Sequence, residues 1–157
     1  MKKKDALEDV KRLQASSLGY VLIRCGQLFN ELGMRAVNSE AGWPMMREVH
    51  ARLLPYLENP EGVRITELAR SLGVTKQAVQ PVIAELAEFG AVRIEPDPDD
   101  ARARRVLLTE KGIAAMRHGT TKLVEIDRRV ARRLGADETR ELHGLMTRLL
   151  EVLKALD

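Results

Sequence analysis

Arg102, Arg104 and Arg105 cluster just after a run of prolines and aspartates, and upstream of them Lys76, Gln77 and Gln80 stand close together. Lysine reaches guanine acceptors or phosphate, and a glutamine amide matches the N6 and N7 edge of adenine in the major groove. Arginine suits the narrow, electronegative minor groove. Double-stranded DNA is the partner that such a set fits. Asp100, just before Arg102, stands where it can brace the Arg102 guanidinium through a charge-assisted bond. Catalytic chemistry has no comparable support. There is no Gly-rich phosphate loop, nucleophile elbow or metal-ligand pair, and the acidic groups are dispersed over helix surfaces, so the chain does not read as an enzyme. His50, His118 and His143 fall on three different predicted helices with no His-x-x-x-His pairing, so neither a metal nor a cofactor is expected.

Composition sets the outer bounds. A chain of 157 residues with 45% hydrophobic residues can build one packed core, and its 26 basic and 23 acidic groups nearly cancel, which fits a soluble, folded protein. The net charge of +3 is only a mild hint of a polyanionic partner, because the clustering of arginines matters more than their number. With 3% aromatics, a stacking platform for single-stranded nucleic acid is not expected. The single cysteine, Cys25, excludes a disulfide framework and a cysteine-rich zinc module and fits a reducing cytoplasm. Lys2, Lys3 and Lys4 begin like a signal peptide, but Asp5, Glu8, Asp9, Lys11 and Arg12 follow where an apolar run would be needed. No stretch approaches the roughly 20 apolar residues of a membrane span. A cytoplasmic chain without a membrane partner is the expectation.

The elements that must hold the basic residues follow from periodicity and punctuation. Leu7, Val10, Leu13, Leu18, Val21, Leu22, Leu28, Phe29 and Leu32 predict one long first helix, interrupted at Gly33 and by the polar stretch 38–42. Pro44 can open a second helix running to about Tyr56, and the tract 58–62 is a turn. Two short helices are predicted from Thr66 to Leu72 and from Thr75 to Phe89, with Gly90 as the closing glycine. Two β-prone runs, 91–94 and 105–108, flank a long polar tip and predict a hairpin. Thr109 can start a long helix ending at Gly135, and a last helix from about Asp137 carries Leu142, Leu145, Leu149, Val152 and Leu156.

The segment 66–86 has the form of a helix-turn-helix. Small Ala69 permits close approach of the helices, Leu68 and Leu72 face the core, Gly73 makes the turn, Val74 plugs it, and Val79 and Val82 seat the second helix. Thr75 can cap that helix and leave Lys76, Gln77 and Gln80 on its exposed N-terminal side, where major-groove readers sit. The hairpin makes the motif a winged one, with Arg102, Arg104 and Arg105 at its tip. Pro81 lies inside the recognition helix, at a cost of about 3 kcal/mol in a regular helix, which predicts a kink or a late start.

At these residues the chain resembles the multiple antibiotic resistance regulator (MarR) family of winged-helix transcription factors. The resemblance covers nearly the whole sequence and is most specific at Asp100-Ala101-Arg102 and at Leu108-Thr109-Glu110-Lys111-Gly112. It implies that Arg102 is the minor-groove arginine with Asp100 as its partner, and that 75–80 begin the recognition helix. It also implies a dimeric repressor released by a small-molecule effector, often phenolic, bound between the dimerisation helices and the winged helix. The fold class expected is mainly α with a small β-wing, a winged helix-turn-helix flanked by long N- and C-terminal dimerisation helices. Residues 1–44 would form the N-terminal dimerisation helix and its connection, 45–108 the DNA-binding domain and 109–157 the C-terminal dimerisation helices. A homodimer follows from the apolar stripes too, because a middle of this size cannot cover them.

Other readings stay open at this point. The winged helix can serve as a protein-interaction module without DNA binding. Cys25 can be a peroxide sensor, as in one branch of the family, although a lone helical cysteine reads first as packing. Trp43, Met46 and Tyr56 can line an effector pocket or simply belong to the core.

Overall fold

The computed structural model describes residues 3–40, 42, 44–100 and 102–156; Lys2, Trp43 and Ala101, used above, lie outside them. The described chain is mainly helical with a small β-wing, as the sequence predicts, and comprises seven α-helices and a three-stranded antiparallel sheet. It divides into two units, Met1–Gly119 and Thr120–Asp157.

In the first unit the predicted single N-terminal helix is two helices, α1 (Lys3–Ser16) and α2 (Leu18–Asn38). Ser17 makes the break. Its backbone is extended, at φ −88° and ψ 115°, and its side chain accepts the Tyr20 N–H at 3.2 Å, so it caps α2 instead of continuing α1. Gly33 interrupts nothing: it is buried inside α2, which runs on to Asn38. Nor does Pro44 open a helix. The Asn38 side chain clasps the Met46 backbone from both sides, accepting its N–H at 2.8 Å and donating to its carbonyl at 2.9 Å. That clasp fixes the chain outside a helix until Arg47, whose N–H is received by His50 Nδ1 at 3.1 Å at the start of α3 (Glu48–Leu53). A 3-10 turn, Leu54–Leu57, follows.

The core takes in Leu53 of α3 and Leu57 of this turn. Strand β1 (Val63–Arg64), helices α4 (Ile65–Ser71) and α5 (Lys76–Glu88), and strands β2 (Val92–Pro96) and β3 (Arg104–Leu108) surround Leu53, Leu57, Leu68, Ile83, Leu86 and Val106, all essentially inaccessible. The sheet order is β1-β3-β2, with Val63 opposite Val106 and Val92 opposite Leu108. Sequence periodicity does not find β1, because two residues show no alternation; its pairing with β3 defines it.

Helix α6 (Glu110–Leu134) starts in the first unit. Thr109 anchors it by donating its hydroxyl to the Gly90 carbonyl at 2.6 Å and accepting the Gly112 N–H at 3.0 Å. Gly112 passes so close to the Ala91 carbonyl that any Cβ would collide with it. Glycine at position 112 is thus a steric requirement of seating α6 beside the Gly90-Ala91 backbone that leads into β2.

The second unit holds the rest of α6 and α7 (Ala136–Lys154), joined at Gly135, whose φ of +112° suits glycine. On α7, Leu142, Leu145, Leu150, Val152 and Leu153 are exposed.

Candidate nucleic-acid interface

Helices α4 and α5 form the helix-turn-helix. Gly73, at φ +65°, makes the turn. Leu68 and Ala69 of α4 and Val79 and Val82 of α5 face inward, as predicted, joined by Ile83 and Leu86, while Leu72 is half-buried. Val74 does not plug the turn. It is 46% exposed, and the turn is instead closed by its backbone N–H, which reaches the Ala69 carbonyl at 3.0 Å. Thr75 caps α5 as expected, with φ −77° and ψ 156° and its hydroxyl accepting the Ala78 N–H at 3.2 Å. Lys76, Gln77 and Gln80 are exposed on the first turns of this helix. The helix starts on time and runs unbroken through Pro81, so the late start is not observed.

The wing is β2, β3 and the connection between Pro96 and Arg104, which face each other at its base. Just inside, the Asp97 side chain is fully buried. It accepts the Arg64 guanidinium at 2.6 and 3.0 Å and Arg105 Nε at 2.6 Å. Its Oδ1 also takes the backbone N–H groups of Asp99 and Asp100 at 2.9 and 3.2 Å. Hydrogen bonding from Arg64, and then from Arg105, holds the Asp97 carboxyl well below the usual carboxylate range and raises both guanidinium groups above theirs. A buried carboxylate with this many donors is a rigid knot. It ties the start of α4 to the wing.

This arrangement corrects two expectations. Arg105 is not a tip arginine; it is folded back onto Asp97 and onto Asp99 at 2.9 Å, because the register of β3 points it at the buried carboxylate. Asp100 does not brace the Arg102 guanidinium. Its Oδ1 accepts the Arg102 backbone N–H at 2.9 Å, closing the short turn that begins at Asp100. The guanidinium of Arg102 has no partner among the described residues, and Arg102 and Arg104 are both exposed. The wing therefore offers two charged side chains, beside backbone N–H groups of Asp99, Asp100 and Arg102 that are held by Asp97 and Asp100.

A second polar cluster holds the recognition helix from behind. Buried His50, with Nδ1 occupied by the Arg47 N–H, presents Nε2–H to Glu85 on α5 at 3.0 Å, and its ring meets Phe89 edge-on at 5.6 Å. The Arg47 guanidinium also binds Glu85, and this hydrogen bond is the main cause of the lowered Glu85 pKa. Sequence reasoning missed Asp97, Arg64, Glu85 and Arg47. Each of the two carboxylates works through partners more than 30 positions away, Arg64 for Asp97 and Arg47 and His50 for Glu85.

Cys25 is exposed on α2 and is not packed in the chain's interior. Among the described residues no three His, Cys, Asp or Glu side chains come together as a metal site requires, and no helix is long and apolar enough to cross a membrane. Met46 is half-buried and Tyr56 exposed.

A capped recognition helix beside a braced, arginine-tipped hairpin defines a winged helix-turn-helix protein. Residues 46–103 match the MarR family. An HTH-type transcriptional repressor of Mycobacterium tuberculosis is 31% identical over 132 residues, covering 84% of this chain and 92% of that protein. The chain belongs to the MarR family of transcriptional regulators, which are non-enzymatic. Among solved structures, wild-type MarR of E. coli superposes with a TM-score of 0.71 at 22% identity, covering 85% of this chain and 96% of MarR. The repressor CouR, bound to a 23-mer DNA duplex, gives 0.63 at 24% identity, covering 87% and 94%.

Proposed function

We propose that this chain is a cytoplasmic, homodimeric repressor that binds a pseudo-palindromic site on double-stranded DNA and is released by a small-molecule effector. The observation that carries the DNA-binding reading is the pairing of Lys76, Gln77 and Gln80 on a capped helix with free Arg102 on a wing fixed by Asp97. Helix α5 enters the major groove with Thr75, Lys76, Gln77 and Gln80 at its leading end, and Arg102, with Arg104 nearby, enters the adjacent minor groove. Asp100 sets the tip that presents Arg102. The duplex held by CouR supports the partner, and the mycobacterial relative supports repression.

The apolar residues left exposed on α1, α2 and α7, among them Leu7, Leu13, Leu18, Ile23, Leu145 and Val152, support assembly with a second copy. Residues 1–44 and 109–157 then serve dimerisation, and 45–108 DNA binding.

Selection of bound duplexes from a random pool tests this reading. The expected product is an inverted repeat with half-sites about 10 bp apart. Failure to retain any duplex would favour a winged helix used for protein contacts.

A further inference from the structure

Pro81 lies inside α5 and outside the buried core. It is exposed, so the core gains nothing from it, and it lacks the N–H that the Gln77 carbonyl would receive in a regular helix. Its position on α5 is informative. Val79, Val82, Ile83 and Leu86 are buried, whereas Gln77, Pro81, Ala84 and Glu88 are exposed at spacings of four, three and four residues, which makes them the stripe opposite the core. Pro81 sits in the middle of that stripe, one turn beyond Gln77. A breach of local helix preference on the face directed away from the protein, in the element proposed to enter the groove, points to function there.

Its chemistry narrows what that function is. The pyrrolidine ring offers no donor and no acceptor, so it reads no polar base edge. The apolar feature that the four bases present in the major groove is the thymine C5-methyl group. We propose that Pro81 is a specificity-determining residue whose ring packs on a thymine methyl within each half-site, next to the bases met by Gln77 and Gln80. This rests on the DNA-binding reading above and adds to it a preferred base. The carbonyl left without its helical donor belongs to Gln77, itself an exposed residue.

The test uses the full chain and duplexes selected from synthetic DNA without methylated cytosine, so that any methyl contacted is thymine's. Each thymine of a half-site is replaced in turn by uracil, which removes only the methyl. Wild type should weaken about fourfold at one position, the value of one buried methyl group. Pro81→Val keeps an apolar side chain and restores the N–H, and should retain that sensitivity. Pro81→Ser restores the N–H without the apolar surface, and should respond less than twofold. Both variants restore a helical hydrogen bond at an exposed position, and circular dichroism checks their folding.

Equal uracil sensitivity in wild type and Pro81→Ser overturns the proposal, as does a half-site in which no thymine methyl matters. Loss of sensitivity in both variants also overturns it, because the effect would then belong to the backbone and not to the ring. Wild type that binds no duplex overturns the DNA-binding reading itself, an outcome separate from these.

Discussion

Asp97 carries more of the wing than any residue that the sequence marks out. As a buried carboxylate receiving two guanidinium groups and two backbone N–H groups, it fixes the hairpin from which Arg102 and Arg104 project. Its folded pKa lies below the unfolded value of about 3.9, so its charged form stabilises the fold fully above that pH and loses its contribution as pH falls further. Asp97→Asn should therefore lower the Tm at pH 7 and weaken DNA binding. The gap from wild type should narrow at pH 3, as read by thermal denaturation at the two pH values; a gap unchanged with pH would place the effect elsewhere. Thr75, Lys76, Gln77 and Gln80 were readable from the sequence because capping and exposure in a helix are local properties. The roles of Arg105 and Asp100 were not, since a side chain's partner depends on strand register and turn geometry that only the folded hairpin supplies.

Among the elements, α4, the turn and α5 follow their sequence signals within a residue or so, because the apolar period, Gly73 and Thr75 agree. The N-terminal helix shows where such reasoning fails. A continuous apolar stripe crosses residue 17, but a serine whose own hydroxyl can receive a backbone N–H competes with helix continuation and ends it. The contact between α6 and the wing is equally specific. Gly112→Ala places a methyl group against the Ala91 carbonyl, a backbone atom that cannot swing aside. It should destabilise the chain by roughly 1–3 kcal/mol in a urea melt, in the range for overpacking. Stability equal to wild type would show that α6 shifts freely on the sheet.

For the molecule as a whole, the apolar surface left open on α1, α2 and α7 is more than a lone chain keeps without reason. Light scattering at micromolar concentration should give twice the 17.6 kDa chain mass. A stable monomer would contradict the symmetric assembly. Composition and periodicity pointed to this surplus, because a middle of this size cannot cover the apolar stripes of the terminal helices. If the dimer presents two recognition helices and two wings to one duplex, its affinity depends on salt through every phosphate-neutralising side chain, and each wing substitution acts twice. The most direct test is operator affinity measured against salt concentration for wild type and Arg102→Ala, with circular dichroism and light scattering confirming fold and assembly. Arg102 is exposed and its guanidinium has no partner among the described residues, so truncation removes no packing. Affinity should fall sharply and the slope of log affinity against log salt should become shallower by up to about two units. Wild-type affinity and slope in Arg102→Ala would show that the wing does not read DNA.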